Sequence, residues 1–155
     1  MYPAFAGCRE ANRFGQMLAR GEQMALKIRT YQLGSKRKRG EGLRVGVVRY
    51  PPRGVRKEDY ARLDYYDVWL PLLAPSKNLL AWIHSRDATD ARVWREFAKR
   101  YRNEMLNNTN SRQVIQLLVQ LAQRTPIAIG CHCAEEKRCH RSLLYQLIQN
   151  IAKHG

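Results

Sequence analysis

Between residues 76 and 124, apolar side chains recur at three- and four-residue steps, interrupted twice by polar turns. This spacing is typical of amphipathic helices and predicts three of them in succession. Ser76, Asp90 and Ser111 are the predicted N-caps, because their side-chain oxygens accept hydrogen bonds from the free N–H groups at a helix start.

Segments that favour strands lie on both sides of these helices. Residues 25–33, 43–50 and 127–131 are predicted strands, and residues 139–153 have the spacing of a final helix. Residues 58–73 combine helical and extended character. This order predicts an α/β fold with a small, mostly parallel sheet flanked by helices, in which ligands bind at the carboxyl ends of the strands.

The length of 155 residues suits one compact domain with its own core. We expect residues 24–155 to form this single α/β domain. Residues 1–23 are poor in branched apolar side chains and show no period, so we expect a loosely held N-terminal extension that is not native, with Met24 as the true start. In the alternative, residues 14–24 form a short helix that packs on the core.

The chain carries a net charge of +15, from 28 lysines and arginines against 13 acidic residues. A field of this sign attracts nucleic acid, nucleotides, phosphorylated metabolites or acidic membrane. The alternative is a generally basic surface that only serves solubility. No apolar run approaches the roughly 18 residues of a membrane span, and no secretory signal precedes the domain. We therefore expect a cytoplasmic protein with a phosphate-bearing or nucleic-acid partner and no membrane partner. It would either act on that partner chemically or be a non-enzymatic nucleic-acid-binding or regulatory module that uses its basic face.

Three of the four cysteines, Cys131, Cys133 and Cys139, fall within nine residues. Such a cluster in a cytosolic protein is typical of metal, redox or catalytic chemistry rather than of disulfide staples. The segment follows a predicted strand and ends where the last helix begins. The free N–H groups and the positive end of that helix stabilise thiolates and bound anions, so a cysteine here is expected to have a lowered pKa.

Three functional interpretations of the cluster remain open. In the first, an anion or phosphate ester binds, and a thiolate attacks it. In the second, a metal is held by Cys131, Cys133 and Cys139 with His132 or His140. In the third, Cys133 or Cys131 pairs with Cys139 in redox chemistry. A fourth, purely structural interpretation makes the cysteines small buried apolar residues. The sequence names no cofactor. In cysteine-dependent phosphatases the reactive cysteine is followed by five residues and then an arginine, but after that gap from Cys133 stands Cys139, so their spacing is absent.

A second motif is the turn Pro51-Pro52-Arg53-Gly54, which ends the second predicted strand. Nine basic residues lie between Lys36 and Lys57, and nearby tyrosines could stack on bases. The alternative is a solvated basic loop with the tyrosines in the core. The three tryptophans are expected in the core as well. Both motifs follow parallel strands, so we expect the turn and the start of the last helix to face one cleft.

These motifs assign roles under the anion interpretation. Cys131 or Cys133 is the reactive thiolate, and His140 is an acid/base or orienting group. The remaining predicted ligand-binding residues either clamp the anion or line its site: Arg49, Arg53, Glu135, Cys139, Arg141 and Ser142.

Several segments in this order resemble a known family. They include Pro-Pro-Arg-Gly at 51–54, Leu-Ala-Pro-Ser at 73–76 and Cys-His-Arg-Ser at 139–142. The chain is similar over residues 25–151 to the family called domain of unknown function 488, including its YeaO-like members. The resemblance implies an α/β sandwich without an established activity. YeaO-like relatives often carry Asp-Arg where this chain has Val48-Arg49, so an acidic role at position 48 is absent here.

Overall fold

The computed structural model of this protein describes residues 25–154. The predicted extension at 1–23, its alternative helix at 14–24 and the proposed start at Met24 lie outside these residues. The described chain forms four strands: β1 (Ile28–Gln32), β2 (Leu43–Gly46), β3 (Val68–Trp69) and β4 (Ile127–Cys131). It also forms four α-helices: α1 (Lys77–His84), α2 (Ala91–Asn107), α3 (Thr109–Arg124) and α4 (His140–His154).

The four strands form one sheet in the order β1-β4-β2-β3, and every neighbouring pair is parallel. Ile127 of β4 stands opposite both Ile28 of β1 and Leu43 of β2, so the last strand fills the centre of the sheet. The predicted α/β fold with a small parallel sheet is therefore confirmed. The extended part of residues 58–73 joins the sheet as β3.

The main core lies on the face of the sheet that the helices cover. Alternate residues of β4, Ile127 and Ile129, join buried side chains from all four helices there. Ala128 and Cys131 point into a second, smaller cluster with Tyr31 and Tyr66. The helices therefore pack as one layer, and tyrosines from the 60–66 segment cover much of the other face.

Two of the three predicted N-caps are correct. The Ser76 side chain accepts from the Leu79 N–H, and that of Asp90 accepts from the Arg92 N–H. The prediction of Ser111 is wrong, because α3 begins at Thr109 and Asn108 caps it by accepting from the N–H groups of residues 110 and 111. Asn108 is extended at φ −92° and ψ 116°, so it separates α2 from α3 and supplies the cap in the same residue.

β2 ends earlier than predicted, at Gly46 rather than Tyr50. The Val47 N–H still donates to the Gly130 carbonyl, at 2.9 Å. After that residue the chain turns away toward Pro51, and the Val48 carbonyl accepts instead from the Trp69 indole at 2.8 Å. This departure from the sheet carries residues 49–53 over the carboxyl end of β4.

Arg44, counted in the basic cluster of residues 36–57, does not face solvent. Its side chain is fully buried, pairs with Glu41 at 3.0 Å and lies 4.2 Å from the centre of the Tyr31 ring. It also donates to the carbonyls of Ser35 and Asp64. Arg44 therefore holds the β1–β2 connection in place and is not available to an external anion.

No helix within residues 25–154 combines the length and apolar character needed to cross a lipid bilayer.

Candidate functional site

A cavity of about 410 Å³ lies at the carboxyl ends of β2 and β4. Residues of the proline turn form one wall, and residues of the cysteine segment form the other. Two stretches 80 residues apart thus meet across one space, as the geometry of a parallel sheet predicts. The lining residues are Val48, Arg49, Tyr50, Pro51, Pro52, Arg53, Pro75, Leu80, His84, Cys131, His132, Cys133 and His140.

Three thiols converge beneath this cavity. The sulfur atoms of Cys131, Cys133 and Cys139 all lie within 4.8 Å of one another, and those of Cys131 and Cys133 are 3.8 Å apart. Cys131 and Cys139 are buried, whereas Cys133 is exposed, and all three are free thiols. Cys139 does not line the cavity. Of the three, Cys133 is the thiol that a bound molecule can approach from solvent.

The His140 imidazole is buried and held at both nitrogens. Its Nε2 lies 2.6 Å from the Val47 carbonyl oxygen, and its Nδ1 lies 3.8 Å from the Cys131 sulfur. A carbonyl only accepts, so Nε2 carries a hydrogen, and the neutral ring presents the Nδ1 lone pair to Cys131. Burial lowers the pKa of His140, which keeps this ring neutral.

Of the three thiols, Cys133 is the one whose pKa is lowered. Hydrogen bonds from Cys131 and Cys139 hold the pKa of the Cys133 thiol well below its usual range, and the positive charge of Arg141 adds to this. The interaction with Cys133 raises the pKa of Cys131 to about 11, and the Cys139 pKa is raised as well. The expected low pKa thus belongs to the loop thiol, while the thiol next to the helix start stays protonated.

Arg141 lies behind the loop rather than in the cavity. Its side chain is 3% exposed, and its Nη1 donates to the carbonyls of Cys133 at 2.5 Å and Cys131 at 3.4 Å. Within the described chain, its buried Nε has no hydrogen-bond partner. Arg141 therefore fixes the backbone that carries the exposed thiol, and its charge acts on that thiol from below.

Further contacts tie the cysteine segment to β1. The Gln32 side chain donates to the His132 carbonyl at 3.2 Å, and the Thr30 hydroxyl donates to the Glu136 carboxylate. Ser142 donates its hydroxyl to the Cys139 carbonyl at 2.8 Å within the first turn of α4. Glu135 and Ser142, like Cys139 and Arg141, do not line the cavity.

The two arginines of the opposite wall differ in whether their guanidinium groups already form hydrogen bonds within the protein. Arg49 is half-buried and donates from Nε to the Pro75 carbonyl at 3.0 Å and from Nη2 to the Ala74 carbonyl at 2.9 Å. Arg53 is exposed, and within residues 25–154 its side chain forms no hydrogen bond or ion pair. A bound anion would find the free guanidinium at Arg53 and a fixed one at Arg49.

Sequence reasoning missed the third side of the cavity, formed by Pro75, Leu80 and His84. His84 ends α1 and is exposed, more than 45 residues before the cysteines. Leu80 is a half-buried residue of the same helix. No motif distinguishes these residues, because only the packing of α1 beside the proline turn brings them to the cavity.

The three sulfur atoms could also hold a metal ion. A zinc ion bound at about 2.3 Å by thiolates in a tetrahedron separates its sulfur ligands by about 3.8 Å. The Cys131–Cys133 separation equals this edge. His140 would have to turn its occupied ring to serve as a fourth protein ligand, so the fourth position would be open to another group.

Comparison with known proteins identifies one family. The family model DUF488-N3a, described as the active DUF488-N3 subclade, matches residues 28–152. The match begins at β1, ends within α4 and includes both walls of the cavity. The search of curated proteins returned no match. The search of solved structures likewise returned none.

Proposed function

The chain belongs to the DUF488-N3a family, the active DUF488-N3 subclade, and we propose that it binds a phosphate-bearing ligand in the cavity and acts on it through the Cys133 thiolate. The ligand class is a nucleotide or a nucleic-acid end. The observation that carries the proposal is that Arg53 and Cys133 line the same cavity from opposite walls. The proposal places the protein in the cytoplasm, where neighbouring thiols stay reduced.

The cavity has the mixed character that such a ligand needs. Arg53 offers a free planar guanidinium, which binds phosphate oxygens through two parallel hydrogen bonds. Arg49 adds a positive charge held in place by two backbone carbonyls. The walls between these cations and the thiol include Tyr50, Pro51 and Leu80, apolar surfaces suited to a sugar or base.

The chemistry proposed is nucleophilic substitution at the ligand. The Cys133 sulfur forms a bond to an electrophilic phosphorus or carbon atom, and the leaving group departs with the electron pair of the broken bond. Water then displaces the sulfur and regenerates the thiolate with release of a proton. The Cys131 thiol has one hydrogen, which it can donate in a hydrogen bond either to the Cys133 sulfur or to His140 Nδ1. His140 therefore acts as a positioning residue for Cys131 and Cys133.

Titration calorimetry with inorganic phosphate and with mononucleotides tests the binding step. We expect Arg53→Gln to weaken binding by at least about tenfold, since a charge-assisted hydrogen bond contributes about 1.5–3 kcal/mol. Arg56→Gln is the matched control, because Arg56 is exposed three residues away and does not line the cavity. Equal weakening in both variants would reject a specific anion site at this wall.

Cys133→Ser tests the chemical step in any ligand that the calorimetry identifies. Binding should persist, while turnover should fall by several orders of magnitude because serine is far less ionised than cysteine at neutral pH. Cys131→Ser should reduce the rate less, since its hydroxyl can still donate a hydrogen bond. Full turnover in Cys133→Ser would remove the thiolate from the mechanism and leave only a binding protein.

The sulfur geometry favours metal binding as a second candidate function. In that case the three cysteines bind one zinc ion and the fourth ligand comes from the cavity. Elemental analysis of the purified protein should then find one equivalent of zinc, and cobalt substitution should give thiolate-to-cobalt absorption. Chelation should destabilise the fold. A fully folded protein that takes up neither metal excludes this candidate.

A further inference from the structure

A row of four cations runs along one side of α2. Arg92, Arg95, Lys99 and Arg102 stand at steps of three, four and three residues, which place their side chains on one stripe of a helix. The stripe extends over about 15 Å, from ten residues at a rise of about 1.5 Å each. Arg92, Arg95 and Lys99 are exposed, and Arg102 is half-buried.

None of these four side chains forms an ion pair within the described chain. Arg95 donates to the Ala91 carbonyl at 3.3 Å, and Arg102 donates to the Gln146 side chain at 3.2 Å. Both contacts are to neutral acceptors. The row is therefore a line of positive charge that the fold itself does not neutralise.

The acidic residues of α2 are engaged elsewhere. Glu96 pairs with Arg100 at 2.7 Å, and Arg100 lies 4.5 Å from the centre of the Trp82 ring on α1. The Glu104 carboxylate accepts hydrogen bonds from the backbone and side chain of Ser76. Cations at three- and four-residue spacing on a helix repel one another, so the row favours an external anion.

The shape of the row indicates a linear polyanion. A single phosphate would engage one or two of the four side chains, whereas a phosphodiester backbone presents charges repeatedly along the whole line. An anionic membrane fits less well, because Trp94 and Phe97 of this helix pack on the core and one exposed leucine, Leu106, offers little surface for insertion.

We propose that the row Arg92, Arg95, Lys99 and Arg102 is a nucleic-acid docking surface that binds the phosphate backbone without reading its bases. The row starts four residues after Ala88, whose carbonyl accepts a hydrogen bond from Arg138 of the cysteine segment. The turn before the first cation of the row therefore contacts the cysteine segment. The inference goes beyond the proposed function and does not depend on a reactive Cys133.

Fluorescence anisotropy with a labelled 20-base-pair DNA duplex and a 20-nucleotide single strand, from 50 to 300 mM NaCl, tests the proposal. The row variant replaces all four cations with glutamine: Arg92→Gln, Arg95→Gln, Lys99→Gln and Arg102→Gln. A charge-matched control removes four exposed cations outside the row and outside the basic cluster of residues 36–57: Lys27→Gln, Arg29→Gln, Lys77→Gln and Arg112→Gln. Glutamine keeps helix propensity close to that of lysine and arginine, and thermal melts verify that both variants fold.

We expect the row variant to bind at least about tenfold more weakly at 100 mM NaCl. Its slope of log affinity against log salt on the duplex should fall by about 3.6 if all four cations contact phosphates, because each lost contact removes about 0.9. The control should change by less than about threefold. Equal losses in both variants overturn the proposal, as does the absence of binding at 50 mM NaCl. Binding to phosphatidylserine vesicles but to neither nucleic acid also overturns it.

Discussion

His140 Nε2 donates a hydrogen bond to the carbonyl oxygen of Val47 across 2.6 Å, and this contact joins the first residue of α4 to the end of β2. The carbonyl belongs to the first residue after the β2 strand, which explains how it remains free for a side chain. The bond sets both the tautomer of the imidazole and the direction of its Nδ1 toward Cys131. The cysteine segment and the proline turn are thereby positioned by one side chain.

Stability should fall in mild acid because of His140. Burial lowers the pKa of the folded imidazole, so the unfolded chain takes up a proton near pH 6.5 that the folded chain resists. The stability that comes with a neutral His140 is fully present above pH 6.5. It is lost as the pH falls from 6.5 toward the lower pKa of the His140 imidazole in the folded protein. Urea titrations between pH 7.5 and 5 should therefore show a declining free energy of unfolding. The decline should be smaller in His140→Gln than in His132→Gln, since His132 is exposed; equal declines would contradict the assignment.

Alkylation by iodoacetamide should single out Cys133 over a wide pH range. An ordinary thiol loses about tenfold in rate per pH unit below a pKa near 8.5, because only the thiolate reacts. The depressed pKa of Cys133 keeps it ionised, so its rate should be nearly constant from pH 8 to 5. Peptide mass spectrometry gives the rate at each cysteine, with the buried Cys139 as internal control. A tenfold drop per unit at Cys133 would show an ordinary thiol.

Removing Arg44 should destabilise the fold strongly. Arg44→Met leaves the Glu41 carboxylate buried without its partner, which typically costs about 3–5 kcal/mol. The double variant Glu41→Leu with Arg44→Met should lose less than Arg44→Met alone, because no isolated charge remains. Arg56→Met, which breaks an exposed pair with Asp59, should change stability by less than about 1 kcal/mol. Urea denaturation measures all three, and equal effects at Arg44 and Arg56 would refute the buried pair.

Alanine at Gly42 should be far more damaging than alanine at Gly40. Both glycines have positive φ, +79° and +74°, so both variants carry a similar backbone strain of about 1 kcal/mol. A Cβ at Gly42 would also lie 1.9 Å from the Pro126 carbonyl oxygen, whereas one at Gly40 meets nothing within 4 Å. The difference in unfolding free energy should exceed about 2 kcal/mol, within the range of overpacking. If both variants lost a similar free energy of unfolding, the destabilisation would come from the positive φ alone and not from a clash with Pro126.

Much of the fold follows from the sequence because local patterns and tertiary packing agree. The helix spacing, the caps at Ser76 and Asp90, and the β-branched segments each act within one element. Asn108 was overlooked because Ser111, three residues later, also satisfies the cap pattern, and only backbone geometry distinguishes them. The two-residue strand β3 carries too short a pattern to be separated from the irregular chain around it.

The site was predictable only to the level of its two motifs. Parallel strands bring segments that follow them to one edge, and this rule placed Arg53 and Cys133 together. It does not decide which side chains point inward. The Arg141 guanidinium donates to loop carbonyls and the Arg44 guanidinium donates to Glu41. Both side chains therefore use acceptors within the protein and do not point into the cavity. The charge pattern of the sequence therefore indicates a basic region, but it does not indicate which of its cations are free to bind an anion.

The order of strands in the sheet has a consequence for how the protein is made. Within residues 25–154, β1 pairs with β4 alone, and β2 lies between β4 and β3. Nearly a hundred residues must leave the ribosome after β1 before β4 emerges. Until then β1 has no strand to pair with in this sheet, and β2 can pair only with the two-residue strand β3. Such late, long-range assembly predicts slow folding and a nascent chain that depends on chaperones.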